Sequence, residues 1–281
     1  MTMEKKKGKY QAVHSRKQYN VLLTVLIALC ILSLIVVGKV LLNKAKERNQ
    51  FNELAAAVQE KETETTVQST TEETAVQETE ETTAPTEAEP QILSQYVSLY
   101  EQNADLFGWI KIEGTIIDYP VMYTPDDAEK YLHLGFDGEY SYSGVPFVEA
   151  NCDVDSDNLI IYGHNMNTDG TIFHQLMKYH QKNFWQEHPT ITFNTLYEEQ
   201  EYEVLAAFYD RVYYKTETCF KFYQFIDAED EADFDDAISQ FKAKALYDTG
   251  VEASYGDKLI TLVTCAYHTD NGRFVVVARR K

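Results

Sequence analysis

Three side chains with complementary chemistry sit at the ends of apolar runs in this 281-residue chain. Cys265 ends the run Leu259-Ile260-Thr261-Leu262-Val263-Thr264, and Arg273 opens the run Phe274-Val275-Val276-Val277-Ala278. Far upstream, His164 follows Asn158-Leu159-Ile160-Ile161-Tyr162-Gly163. A thiol, an imidazole and a guanidinium are the parts of an acyl-transfer site that works through a thioester. The thiolate attacks a carbonyl, the imidazole moves the proton, and a fixed cation stabilises the oxyanion. Read singly, each has a bland alternative. Cys265 could be a core cysteine, common for this residue type, and Arg273 a solvated charge at a strand end. All three at the ends of strand-like runs point instead to an enzyme.

The choice of base and the register of the last hairpin are both open at this level. His268 lies in the same loop as Cys265 and is the rival imidazole. A base that close in sequence leaves little room for substrate between itself and the thiol, which favours His164. Asn271-Gly272 is a favoured two-residue hairpin turn. A tight turn there would set Cys265 opposite Ala278 and leave Arg273 roughly 16 Å away at strand rise. A wider loop over 266–272 would set Cys265 directly opposite Arg273.

The elements that must position these groups lie between residues 91 and 281. Ile92, Leu93, Tyr96, Val97, Leu99, Tyr100 and Leu106 recur at helical spacing, so an amphipathic helix opens the region. Short strand-like runs follow at 109–112, 116–121, 144–149, 158–162, 190–193, 201–209, 258–264 and 274–279. Eight such runs with turn signals between them predict a mainly β fold, a closed or nearly closed eight-stranded barrel. Helical spacing recurs at 171–179 and at 233–246, giving peripheral helices, the latter behind an acidic run suited to a helix N-terminus. Gly163 is read as the residue that lets the chain turn out of the His strand.

The N-terminal third has a different character. Between Val21 and Val37 only Thr24 and Ser33 are polar, which is long enough for a membrane-spanning helix and too long for the apolar core of a signal peptide. Lys5, Lys6, Lys7, Lys9, Arg16 and Lys17 precede it, so the positive-inside rule places the N-terminus in the cytoplasm. Residues 60–90 hold ten Glu and ten Thr with no aromatic, Ile or Leu, a composition that predicts disorder. That segment supplies −9 of the formal −20, so the acidity says little about an active site. The predicted division is a basic cytoplasmic tail (1–19), a transmembrane anchor (20–42), a Thr/Glu-rich extracellular stalk (43–90) and a catalytic domain (91–281). Of the four cysteines, Cys30 falls in the span. Cys152, Cys219 and Cys265 remain outside, an odd number that leaves a candidate reactive thiol.

The motifs Tyr162-Gly163-His164-Asn165-Met166, Thr261-Leu262-Val263-Thr264-Cys265 and Arg273 resemble the His, TLxTC and Arg motifs of the sortases. Gly108-Trp109-Ile110-Lys111-Ile112 and Ile117-Asp118-Tyr119-Pro120-Val121, with the opening helix and the helix before the Cys strand, are similar to class B members. The resemblance implies a sortase-type barrel and a cysteine transpeptidase, in peptide-hydrolase terms a cysteine endopeptidase. Cys265 would be the nucleophile, His164 the general acid/base and Arg273 the oxyanion or substrate stabiliser, with Leu132, Val263 and Thr264 lining the substrate groove. It implies surface proteins with a C-terminal sorting signal as one substrate and a peptidoglycan precursor or cross-bridge amine as the other, on the outer membrane face of a Gram-positive-type cell. Neither a metal nor an organic cofactor is required by this chemistry, and no nucleic-acid partner is expected. A pilin polymerase, which uses a protein lysine as the amine, is the alternative within the family. A non-catalytic surface-binding barrel is the alternative outside it. The chain departs from the class B pattern at Val263, at Ala266 and at Asp127-Ala128, all bordering the groove.

Overall fold

The computed structural model describes residues 2–72 and 91–281 of the chain. They form two compact units, Met1–Asn49 and Gln50–Lys281. The first unit is the leading part of helix α1 (Thr2–Glu72). Within it lies a stretch long and apolar enough to cross a bilayer, with a mean hydropathy of 3.1 and none of it buried. Such a helix is compatible with a single-pass anchor.

In the second unit α1 continues. Phe51, Leu54 and Val58 are buried, a spacing that places them on one helical stripe. The Phe51 ring meets Tyr119 edge-on at 5.0 Å between centroids. The leading part of the predicted stalk is therefore helical, and three of its residues belong to the core. Ala55-Ala56-Ala57 with neighbouring Glu, Gln and Lys are strong helix formers, and a reading of composition from Glu60 onward misses the stripe before it. Of the segment 60–90 predicted to be disordered, residues 60–72 continue α1 instead, and 73–90 lie outside the described residues.

Helix α2 (Ser94–Gln102) buries Tyr96 and Leu99 and stops earlier than its periodicity suggests. Asn103 accepts the Asp105 N–H on its side-chain oxygen at 3.1 Å, a local turn that competes with the helix. Leu106, predicted as helical, accordingly opens strand β1 (Leu106–Lys111). Then come β2 (Asp118–Met122), β3 (Phe147–Val148), β4 (Asn158–Tyr162), a 3-10 helix over Phe173–His180, helix α3 (Lys182–Glu187), β5 (Thr190–Thr195) and β6 (Glu201–Arg211). Helix α4 (Glu231–Lys244), β7 (Leu259–Cys265) and β8 (Gly272–Arg280) complete the unit. Asp230 caps α4 by accepting the Asp233 N–H at 3.0 Å, as the acidic run foretold.

The strands close into a barrel in the order β1-β2-β3-β4-β7-β8-β6-β5. Neighbours are antiparallel except β2 with β3 and β4 with β7, which run parallel. Closure removes the exposed edges of an open sheet. The core fills with aliphatic and aromatic side chains from both faces, among them Ile110, Ile160, Phe193, Phe208, Leu262 and Val276. Strand β7 is buried along its whole length until Cys265, where exposure begins.

Candidate active site

The parallel pairing of β4 with β7 brings His164 and Cys265 together. Its register sets Asn158 beside Leu259 and Tyr162 beside Val263. Parallel strands end at the same rim, so the residues that follow Tyr162 and Val263 emerge side by side. The backbone ladder ends with Gly163 N–H donating to Val263 O at 3.0 Å. Beyond it, Thr264 Oγ1 donates to Gly163 O at 2.8 Å, and Asn165 Nδ2 donates to Cys265 O at 2.7 Å. Gly163 is needed for a different reason than the predicted turn. A Cβ there would lie 2.6 Å from the Phe173 ring, so the glycine lets the 3-10 helix pack against the strand end.

The hairpin from β7 to β8 adopts the wide loop. Cys265 pairs with Arg273 and Thr264 with Phe274. Directly opposed residues in an antiparallel pair share a face of the sheet, so thiol and guanidinium share a side. Asn271 turns the chain with φ 54, in the left-handed region that Asn tolerates. Ala266 N–H donates to Gly272 O at 3.0 Å to close the loop. Only glycine fits there, since a Cβ on residue 272 would meet Ala266 O at 2.1 Å. Arg273 Nη1 donates to Gly272 O at 3.0 Å and to Asn271 O at 3.3 Å, which leaves donors of the planar fork for the cleft.

His164, Cys265 and Arg273 line one cleft of 480 Å³. His268 is absent from its lining and packs edge-on against Tyr209, 4.9 Å between centroids. His164 Nε2 lies 3.0 Å from Leu132 O. A carbonyl only accepts, so Nε2 carries the proton and Nδ1 holds the lone pair that takes up another. The imidazole stacks on His133 with centroids 5.6 Å apart. Burial holds the His164 pKa below the ordinary histidine range, the His133 ring adds to this, and the Leu132 carbonyl opposes it. The resting imidazole at neutral pH is thus a free base.

The three groove residues expected from sequence differ in role. Leu132 lines the cleft and anchors the imidazole through its carbonyl. Val263 and Thr264 reach the cleft wall but are 1% and 2% exposed, and the single hydroxyl proton of Thr264 goes to Gly163 O. Ala128, one of the departures from the class B pattern, borders the cleft. Ala266, another, is buried, its N–H closing the hairpin.

Sequence reasoning missed Glu149, Tyr162 and His133 as neighbours of the site. Burial and the Glu149 carboxylate raise the Tyr162 pKa well above the ordinary phenol range against the pull of Arg273, so its hydroxyl remains a donor in the cleft wall. Tyr162 carried a signal in its place two residues before His164. Glu149 carried none, because β3 reaches the site only through pairing with β4. All four cysteines are free. Cys152 is buried, its Sγ 3.5 Å from Asn158 O, and burial pushes its thiol pKa up to about 11, which makes it a poor nucleophile.

Comparison with known proteins agrees with this geometry. The sortase-domain family matches residues 110–281. Sortase B of Listeria monocytogenes is 34% identical over 191 residues, covering 66% of this chain and 74% of that protein. The solved Staphylococcus aureus sortase B–substrate complex superposes with a TM-score of 0.68 at 25% identity, covering 85% of this chain and 98% of that one. A sortase B complexed with triglycine gives 0.66 at 26% identity, with the same 85% and 98% coverage. With its closed eight-stranded barrel and a thiol at the rim that β4 and β7 share, the chain belongs to the sortase family and to its class B.

Proposed function

We propose that the protein is a membrane-anchored cysteine transpeptidase that attaches surface proteins to the cell wall, with Cys265 as nucleophile, His164 as general acid/base and Arg273 as oxyanion donor. The observation that carries this reading is the convergence of the three on one cleft, through the β4–β7 register on one side and the Cys265–Arg273 pair on the other. The Cys265 thiol gives its proton to His164 Nδ1 as Sγ attacks the scissile carbonyl of a sorting signal, and Arg273 donates to the oxygen that gains charge. The amide bond breaks, and the departing nitrogen takes its proton from His164. An amine then enters, passes a proton to His164 Nδ1, attacks the thioester carbon and expels the Cys265 thiolate, which takes that proton back. The neutral resting imidazole suits both proton uptakes.

Solved relatives holding a substrate and a triglycine peptide support a sorting-signal peptide as acyl donor and a wall-peptide amine as acceptor. The basic residues ahead of the apolar helix support a cytoplasmic N-terminus and a catalytic domain outside the cell. Incubating the full-length chain in detergent with a sorting-signal peptide, with and without triglycine, tests the reading. Transpeptidation yields a peptide–triglycine product whose formation Cys265→Ala abolishes, and Cys152→Ala and Cys219→Ala leave it largely intact. Hydrolysed peptide alone in both reactions would make the protein an endopeptidase, and full activity in Cys265→Ala would end the enzymatic assignment.

A further inference from the structure

The backbone ladder between β4 and β7 stops at Gly163 and Val263, short of the residues that do the chemistry. Side chains continue the seam. Thr264 makes the first tie, to Gly163 O, and Asn165 makes the second, to Cys265 O at 2.7 Å. Asn165 is buried and uses both ends of its amide. A backbone carbonyl accepts only, so the amide nitrogen must face Cys265. The amide oxygen then faces His174, whose Nδ1 lies 2.6 Å away and must carry the proton. An Nδ1–H is present in both the charged imidazole and the matching neutral tautomer, so ionisation of His174 does not break this link.

The loop carrying Asn165 is itself held in place. Asn165 bridges to Ile172, which sits at φ 53, a region a β-branched residue rarely adopts. Ile172 N–H donates to the Tyr119 hydroxyl at 3.2 Å, and Phe173 N–H to His164 O at 3.0 Å. One short segment therefore fixes the carbonyl of the residue bearing the base and, through Asn165, the carbonyl of the residue bearing the thiol.

We infer that Asn165 is a positioning residue of the acyl-transfer site, its side-chain amide fixing the Cys265 carbonyl and so the direction in which the thiol leaves the strand end, with His174 holding that amide in orientation. The inference rests on Cys265 being the nucleophile. The Cys265 carbonyl lies in the peptide plane that follows the nucleophile, and rotation of that plane turns the strand end relative to His164 and Arg273. Misplacement of about 1 Å at a reacting group costs up to about 10²-fold in rate without changing the groups present.

The test uses the full-length chain in detergent and a sorting-signal peptide, with kcat, KM and melting temperature measured for each variant. Asn165→Ala removes both links. Asn165→Asp keeps the acceptor for His174 but turns an oxygen toward the Cys265 carbonyl. Both should lower kcat by about tenfold or more, with KM within about twofold and little change in melting temperature. His174→Ala should give a smaller kcat loss, and His174→Asn, which returns an amide N–H near the Nδ1 position, should restore it. A merely structural role would lower the melting temperature and leave the kcat of the folded fraction unchanged, and that result overturns the inference. So does a wild-type kcat in Asn165→Ala when Cys265→Ala is inactive. Activity in Cys265→Ala would instead remove the mechanism on which the inference rests.

Discussion

Cys265 meets its two partners by contrasting routes. Arg273 reaches it through a hairpin, where the pairing follows from a short loop and its turn residues. His164 reaches it through a parallel pair whose crossover contains the 3-10 helix, α3, β5, β6 and α4. The hairpin contact is local and offers only a few registers, so a glycine and an Asn in the left-handed region suffice to select one. The parallel contact is bought with a long loop closure, and the buried β4 and β7 side chains together with the side-chain ties past the ladder's end hold it. The guanidinium side of the site therefore depends on turn chemistry, and the imidazole side on packing across the whole barrel.

The largest effect should come on the imidazole side. His164→Ala should lower the rate of thioester formation by about 10²–10⁴-fold, the usual loss for a general acid/base. His268→Ala, whose ring packs on Tyr209, should cost far less. Single-turnover acylation of a sorting-signal peptide ranks the two, and the opposite order would mean that the parallel pair does not deliver the base. On the hairpin side, Arg273→Lys keeps the charge and loses the planar fork. It should cost about 10²–10³ in turnover, as for loss of an oxyanion donor, with peptide binding largely retained. A wild-type rate in the lysine variant would reduce Arg273 to a simple charge.

Gly272→Ala probes the hairpin without touching a reacting group. The added methyl would press on the Ala266 carbonyl, so the loop must open and the Cys265–Arg273 pairing loosen. Turnover should fall about tenfold or more while the His164 imidazole titrates as in the wild type, and a shift in that titration would show that the two sides are not separable. The subtlest expectation concerns His133. Burial is the main cause of the depressed His164 pKa, and His133 adds to it, so His133→Gln should move the His164 titration upward without restoring the ordinary value. Imidazole resonances followed by NMR against pH give the direction, and no movement would leave burial as the whole cause. The sign carries over to stability. A buried neutral imidazole binds fewer protons than in the unfolded chain, so this contribution is lost as pH falls below the ordinary histidine range.

The strands of the barrel were legible because each is a short apolar run between turn residues, and Asn158–Tyr162 falls as its pattern predicts. The three chemical groups were legible from residue type and position at strand ends. The hairpin register was legible only as a choice, since Asn271-Gly272 suits a tight turn as readily as the end of a wide loop. Glu149, His133 and the Asn165 link were not legible, because each reaches the site through partners distant in sequence. The buried stripe Phe51, Leu54 and Val58 was concealed by the Thr- and Glu-rich composition that follows it. Helix 171–179 was placed nearly right but with the wrong winding, because nothing in its spacing reveals that Ile172 takes a left-handed turn to let Phe173 reach the strand end.

The crossover between β4 and β7 also decides when a chain can become active. Asn165 and Cys265 are 100 residues apart and meet only across that crossover. Contacts of such long range form late, because the entropy of closing the loop must be met before they contribute. A chain still folding carries the Cys265 thiol, and through its hairpin the Arg273 guanidinium, without the His164 imidazole or the hydrogen bond from Asn165 to the Cys265 carbonyl. Closure of the barrel itself is then what assembles the cleft around the Cys265 thiol.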